Sequence, residues 1–102
     1  IYGSIKEKRF FVYILTNKPY GVFYVGVTSD LFKRGYEHKA MLMDGFSRRY
    51  NTKMLVYYEI YEDWANAFRR EKRLKRWPRE WKISAINQFN PDWKDLYETM
   101  EA

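Results

Sequence analysis

The sequence predicts an α+β domain: a small three-stranded antiparallel sheet flanked by helices, in the order ββαβαα. Two short apolar runs, Phe10–Leu15 and Val22–Val27, flank a turn segment with Pro and Gly at its far end, which reads as a hairpin. A third apolar run, Met54–Ile60, reads as a further strand. Between and beyond these runs lie three segments of helical length, bounded by capping residues or proline. A small antiparallel sheet with helices packed on it is the simplest way to bury the faces so defined.

Phe10-Phe11-Val12-Tyr13-Ile14-Leu15 is apolar without interruption, as in a strand covered on both faces. Thr16-Asn17-Lys18-Pro19-Tyr20-Gly21 has turn chemistry. After the second strand, Thr28, Ser29 and Asp30 each offer a side-chain oxygen to cap a helix. That helix is expected from about Leu31 to Met43, with Leu31, Gly35, His38 and Leu42 on one face and Asp44-Gly45 at its end. Following the third strand, Asp63 caps a second helix, Trp64–Arg76. Pro78 stops that helix or opens the next. The third helix, about Arg79–Phe89, ends before Asn90-Pro91. There is no repeat, low-complexity tract or linker.

A length of 102 residues fits one domain, residues 1–102. Aromatic side chains bury roughly 150–250 Å² each, so 7 Phe, 10 Tyr and 4 Trp provide ample apolar area for a core. The absence of cysteine excludes disulfides and thiolate metal sites and permits a reducing compartment. No apolar run approaches the ~20 residues of a membrane span, and Ile1–Arg9 has no signal-peptide character. A soluble cytoplasmic protein with no membrane partner, monomeric by default, is the expectation.

Net charge is +6, and it is concentrated. Arg69, Arg70, Lys72, Arg73, Lys75, Arg76, Arg79 and Lys82 face only Glu71 and Glu80 in the same stretch, so residues 69–82 carry +6 by themselves. The other 88 residues balance to zero. A focused basic segment points to a polyanion; a solvated helix face is the alternative.

Glu71 shares a helix face with Ala67, Phe68 and Leu74, so it is a charge on the apolar side. A buried carboxylate must be compensated, either by an ion pair with a nearby arginine or by a divalent metal such as Mg²⁺, which is often held by one or two carboxylates plus water and phosphate. Arg34 and His38 stand one helical turn apart. Arginine offers a planar fork to phosphate oxygens. His38, the only histidine, can pack, donate to a phosphate or shuttle a proton. Tyr13 and Tyr24 fall on neighbouring strands, where tyrosines usually pack. Gly26, two places after Tyr24, weakens a strand unless access or close approach requires it.

Together these residues resemble the GIY-YIG family of nucleases. Val12-Tyr13-Ile14 resembles the family's first tripeptide and Tyr24-Val25-Gly26 its second, with nine residues between them. Val27-Thr28, Leu31, Arg34 and His38 match its Arg-bearing helix, and Arg70-Glu71-Lys72-Arg73-Leu74-Lys75 its Glu-bearing helix. Asn90-Pro91-Asp92-Trp93 resembles a segment near the end of small bacterial single-domain members, so the likeness covers about residues 9–97. The resemblance implies a GIY-YIG-like fold and hydrolysis of phosphodiester bonds with one divalent metal ion, Mg²⁺ or Mn²⁺, on Glu71. It implies that Tyr24 orients or deprotonates the attacking water with Tyr13 in support, that Arg34 stabilises phosphate charge, and that His38 assists. Gly26 and Asn90 would support the site. Nucleic acid is the implied partner, DNA ahead of RNA, held by Arg69, Arg70, Lys72, Arg73, Lys75, Arg76 and Arg79. With no fused targeting domain, cleavage would be structure-directed or weakly specific, or a protein partner would supply specificity.

Two other readings compete. The chain is a non-catalytic nucleic-acid-binding module using residues 69–82, with Trp77 and Trp81 for base stacking. Or it is a protein-interaction domain, which an exposed aromatic patch including Tyr57, Tyr58 or Trp93 would favour.

Overall fold

The computed structural model describes residues 9–40 and 45–100. Strand β1 (Phe10–Thr16) lies in the middle of a three-stranded sheet, between β2 (Phe23–Thr28) and β3 (Met54–Tyr61), with both pairings antiparallel. Its position explains its composition: Val12 to Thr16 are all buried, because packed layers cover both faces. The hairpin register sets Tyr13 opposite Gly26 and Leu15 opposite Tyr24. On the other side, Ile14 faces Tyr57 while Leu15 faces Leu55, an irregularity that inserts Val56 into β3.

Helices α1 (Leu31–Lys39), α2 (Phe46–Tyr50), α3 (Trp64–Arg76) and α4 (Arg79–Phe89) complete the regular structure, with a 3₁₀ turn at Leu96–Thr99. On one face of the sheet, Val12, Ile14, Val25 and Val56 pack with Ala67 and Leu74 of α3, Ile86 of α4 and Trp93. On the other, Tyr13, Leu15 and Leu55 pack with Leu31 of α1, and Tyr24, Tyr58, Leu96 and Tyr97 close over them. The caps are local and sequence-encoded. Asp30 accepts from the backbone N–H of Lys33, and Asp63 from that of Asn66. Pro78 precedes the first turn of α4.

The sheet and the helices match the expected α+β class and order, with additions. Helix α1 ends at Lys39 rather than Met43; the expected continuation from Met41 to Asp44, including Leu42, lies outside the described residues. Helix α2 and the 3₁₀ turn were not expected, being too short to show a helical period. Phe68 does not share the buried face of Glu71: it is exposed, stacked on Trp64. The exposed aromatic patch is also absent at the positions named for it. Trp93 is buried in the left-handed region (φ 53°), stacked on Tyr20 and Phe23 with its indole N–H donating to Asn87, while the Tyr57 hydroxyl donates to Glu59 and Tyr58 packs into the core. No helix among the described residues is long and apolar enough to cross a membrane.

The segment after α4 ties the two layers together. Buried Asn90 donates to the carbonyls of Val56 (3.2 Å) and Lys94 (2.8 Å) and accepts from the Lys94 backbone N–H (3.1 Å). Asp95 then accepts from the backbone of Leu55 and Tyr97 and pairs with Lys39 of α1. The Tyr97 ring covers Gly35, where no side chain would fit, and its hydroxyl donates to the Phe32 carbonyl (2.7 Å). Replacing Asn90 by Ala leaves the buried Val56 carbonyl without this partner and removes two part-buried bonds to Lys94, at about 1–3 kcal/mol for an unsatisfied buried group. Urea unfolding of Asn90→Ala is expected to show that loss in midpoint at an unchanged slope.

Candidate active site

Strand β2 is an edge strand, so the layer carrying α1 and the layer carrying α3 meet along it. Tyr13, Tyr24 and His38 gather there. The Tyr13 and Tyr24 ring centroids lie 6.3 Å apart, and the His38 ring stands edge-on to both, 6.2 Å from Tyr13 and 5.1 Å from Tyr24. Tyr13 is buried and feels the charges of Arg34 and Glu71, so α1 and α3 both act on its hydroxyl. Beside Tyr24 a groove opens, lined by Phe23, Val25, Phe46 of α2, Lys75 and Lys82.

Gly26 has a steric reason. A Cβ there would lie 2.5 Å from the Tyr13 hydroxyl oxygen, so the phenol occupies the space that any other residue would fill. Burial, then the proximity of Tyr24, pushes the Tyr13 hydroxyl well above the usual tyrosine range, and its hydrogen bond to the Tyr24 side chain holds its proton further. Tyr13 therefore keeps its proton at neutral pH. Tyr24, only partly buried and bordering the groove, is the tyrosine with access.

His38 is buried, and burial together with Arg34 lowers its pKa from 6.5 to about 4. It is neutral at neutral pH and packs edge-on against both tyrosine rings. Arg34 lies 3.5 Å from Glu37 on the same helix, with its guanidinium still about a third exposed.

Glu71 is buried at 7% exposure, on the inner face of α3 as expected. Its partner in this structure is the ammonium of Lys75, not the expected arginine guanidinium, 2.7 Å away and one turn further along the helix. The spacing was visible in the sequence as a Glu–Lys i,i+4 pair, but Lys75 was assigned to nucleic acid. Its side chain is 56% exposed, so its ammonium reaches in from the groove edge.

The basic residues separate into groups. Arg70 is committed to Glu59, making two 2.9 Å hydrogen bonds, and lies 4.7 Å over the Trp77 ring. Arg79 donates to the Tyr20 carbonyl and covers the Phe23 ring. Arg69, Lys72, Arg73 and Arg76 form the exposed outer stripe of α3. Asn90 makes its hydrogen bonds to the backbone of Val56 and Lys94, and none to the tyrosine pair. The sequence reading did not anticipate Phe46 or Phe23 beside Tyr24. The first sits on a five-residue helix with no periodic signal, and the second reads simply as a strand residue.

Among the described residues no group of three or more His, Cys, Asp or Glu encloses a cation. The donors present are one carboxylate and two phenols. That chemistry fits an octahedral cation that keeps most of its waters, such as Mg²⁺, and does not fit zinc, which takes nitrogen and sulfur ligands.

The GIY-YIG catalytic-domain family model matches residues 9–84. The chain belongs to the GIY-YIG family, a family of nucleases. Among solved structures, it resembles the solution NMR structure of the UPF0213 protein BH0048 from Bacillus halodurans, at 22% identity and a TM-score of 0.55 over 92% of this chain and 99% of that one. That likeness is one of fold. No curated protein matches the chain.

A depressed histidine pKa has a defined pH signature. Between about pH 6.5 and 4 the unfolded chain binds a proton at position 38 that the folded chain does not, so stability is full above this window and falls as pH drops through it. Denaturant unfolding across that range is expected to give a steeper decline for wild type than for His38→Phe, which has nothing to titrate there.

Proposed function

We propose that the protein is a metal-dependent endonuclease that hydrolyses phosphodiester bonds in DNA, structure-directed or weakly specific in its choice of target. The observation that supports this reading is the packing of Tyr13, Tyr24 and His38 ring against ring, with the charges of Arg34 and Glu71 both acting on the Tyr13 hydroxyl and a groove open beside Tyr24. Phosphoryl transfer needs little beyond positioning and charge stabilisation, and these residues offer both. Glu71 would hold one divalent cation, Mg²⁺ or Mn²⁺, which supplies a Lewis acid at the phosphate when bound. Arg34 presents its fork to the phosphate oxygens. Tyr13, which keeps its proton, supports Tyr24, and Tyr24 borders the groove, where it would orient the attacking water. Neutral His38 holds both rings in place. Lys75, Lys82 and the outer cations Arg69, Lys72, Arg73 and Arg76 contact the nucleic-acid backbone.

Plasmid cleavage with Mg²⁺ or Mn²⁺ tests the proposal. Glu71→Ala, Arg34→Ala and Tyr24→Phe are each expected to slow cleavage by about 10²-fold or more, the scale of losing one preorganised charge-stabilising group. Equal activity in all variants would attribute cleavage to a contaminant.

The ion pair of Glu71 with Lys75 favours a second reading, a module that binds nucleic acid without cutting it. Lys75→Met separates the two. It leaves a buried carboxylate unpaired, so the metal-free protein should lose about 1–3 kcal/mol of stability. If Glu71 is a metal ligand, Mn²⁺ should bind this variant more tightly than wild type by calorimetry, because the ammonium no longer competes. Unchanged or absent Mn²⁺ binding would support the non-catalytic module.

A further inference from the structure

We propose that the outer face of α3 and the start of α4 form a second nucleic-acid contact, separate from the Tyr24 groove, which takes an unpaired nucleotide. Its base stacks on Trp81, and the phosphates of its strand lie on Arg69, Lys72, Arg73 and Arg76. The inference rests on the nucleic-acid partner proposed above and not on catalysis.

The four cations recur at i, i+3, i+4 and i+7, one stripe of the helix. That stripe lies opposite Ala67, Glu71 and Leu74, which face the core. Among the described residues none of the four has a carboxylate partner, whereas Arg70 and Lys75 on the same helix both do. With Trp77 and Trp81 they line one groove. A row of unpaired cations around an aromatic ring is complementary to a strand whose charge and π-faces are both accessible.

Trp81 is 55% exposed. It is also held still. Its ring meets Trp77 edge to face at 5.8 Å, Trp77 lies under the Arg70 guanidinium at 4.7 Å, and Arg70 is pinned by two hydrogen bonds to Glu59 of β3. A rigid aromatic platform loses little entropy when a base stacks on it. A second groove, lined by Trp77, Trp81, Ser84, Ala85 and Gln88, also borders Trp81.

The ring decides the form of nucleic acid. A duplex offers phosphates but keeps its base faces in its own stack, leaving Trp81 unmatched. A single strand offers both, and stacking of a base on an aromatic side chain is tolerant of sequence. The site also joins the catalytic groove. Lys75 and Lys82 line that groove, and Lys82 donates to the Lys75 carbonyl at the end of α3. A strand leaving Tyr24 therefore crosses the C-terminal turn of α3 to reach Trp81.

Fluorescence polarisation of labelled oligothymidylate, oligouridylate and a blunt duplex, all in excess EDTA so that nothing is cut, tests the site. Both single strands should bind more tightly than the duplex. Trp81→Ala should weaken single-strand binding by roughly 5- to 100-fold, leave duplex binding unchanged, and be largely rescued by Trp81→Phe. The Lys72→Ala/Arg76→Ala double variant should flatten the salt dependence for every probe. Single-strand affinity indifferent to Trp81→Ala, or a duplex that binds as well as the single strands, overturns the proposal and leaves a backbone-only or acidic-protein surface. The outcomes also separate from those of the nuclease reading. A chain that binds single strands through Trp81 but never cuts refutes only the nuclease, and one that cuts but whose single-strand binding ignores Trp81→Ala refutes only this site.

Discussion

The candidate site depends on one close approach, the phenol of Tyr13 lying across the backbone of Gly26. The space a Cβ would occupy at position 26 is filled by the Tyr13 hydroxyl, so the central strand can carry a buried tyrosine only because its partner strand has no side chain there. The same register puts Tyr24 opposite Leu15, on the same face as Tyr13. A slip of one residue would turn Tyr24 and Gly26 to the other face of the sheet and bury Tyr13 against a side chain. Helix α1 then docks with Leu31, Gly35 and His38 inward, which sets His38 against both rings. The C-terminal segment holds that helix through Lys39, Gly35 and the Phe32 carbonyl. The tyrosine pair, the histidine and the arginine are thus positioned by one chain of packing constraints that begins at a glycine.

Two carboxylates show how differently a charge near the core can be met. Burial raises the pKa of Glu59, but the bonds from Arg70, Tyr57 and Tyr61 more than offset it, and the carboxyl sits below its usual range. Arg70 supplies a rigid fork that matches both oxygens and is itself packed on Trp77. This pairing is a fixture of the fold. Glu71 is more deeply buried, yet its partner is a single ammonium on a long, half-exposed stem. A lysine can swing into the groove at little cost, because the ammonium is readily hydrated and the stem is flexible. The first arrangement suits permanent structure, and the second suits a carboxylate that must change partners.

Much of this was legible in the sequence. The bounds of α3 and α4 follow from Asp63, Pro78 and Asn90-Pro91, each of which acts through local chemistry that tertiary packing does not override. The hairpin and the inward face of Glu71 follow from periodicity. The parts that were not legible share a physical cause. Helix α2 and the 3₁₀ turn are shorter than a repeat of the helical period, and Phe46 could not be placed beside Tyr24 from its own neighbours. Phe68 was assigned inward from its spacing alone, although the buried stripe of α3 is only one residue wide at that level. The state of His38 depends on burial and on Arg34, which no local pattern reports. Aromatic composition also misled at Trp93, whose exposure is set by the fold of the C-terminal segment and not by its own sequence context.

Helix α3 shows how so small a domain can combine a core with a strongly cationic surface. Its inner face presents Ala67 and Leu74 to the sheet with Glu71 between them, and its outer stripe presents only cations. Like charges one helical turn apart repel, so the stripe of Arg69, Lys72, Arg73 and Arg76 weakens the isolated helix. That repulsion is tolerated because the inner face packs against two strands and Asp63 caps the first turn. It is relieved when a polyanion lies along the stripe, so ligand binding and helix stability are thermodynamically linked.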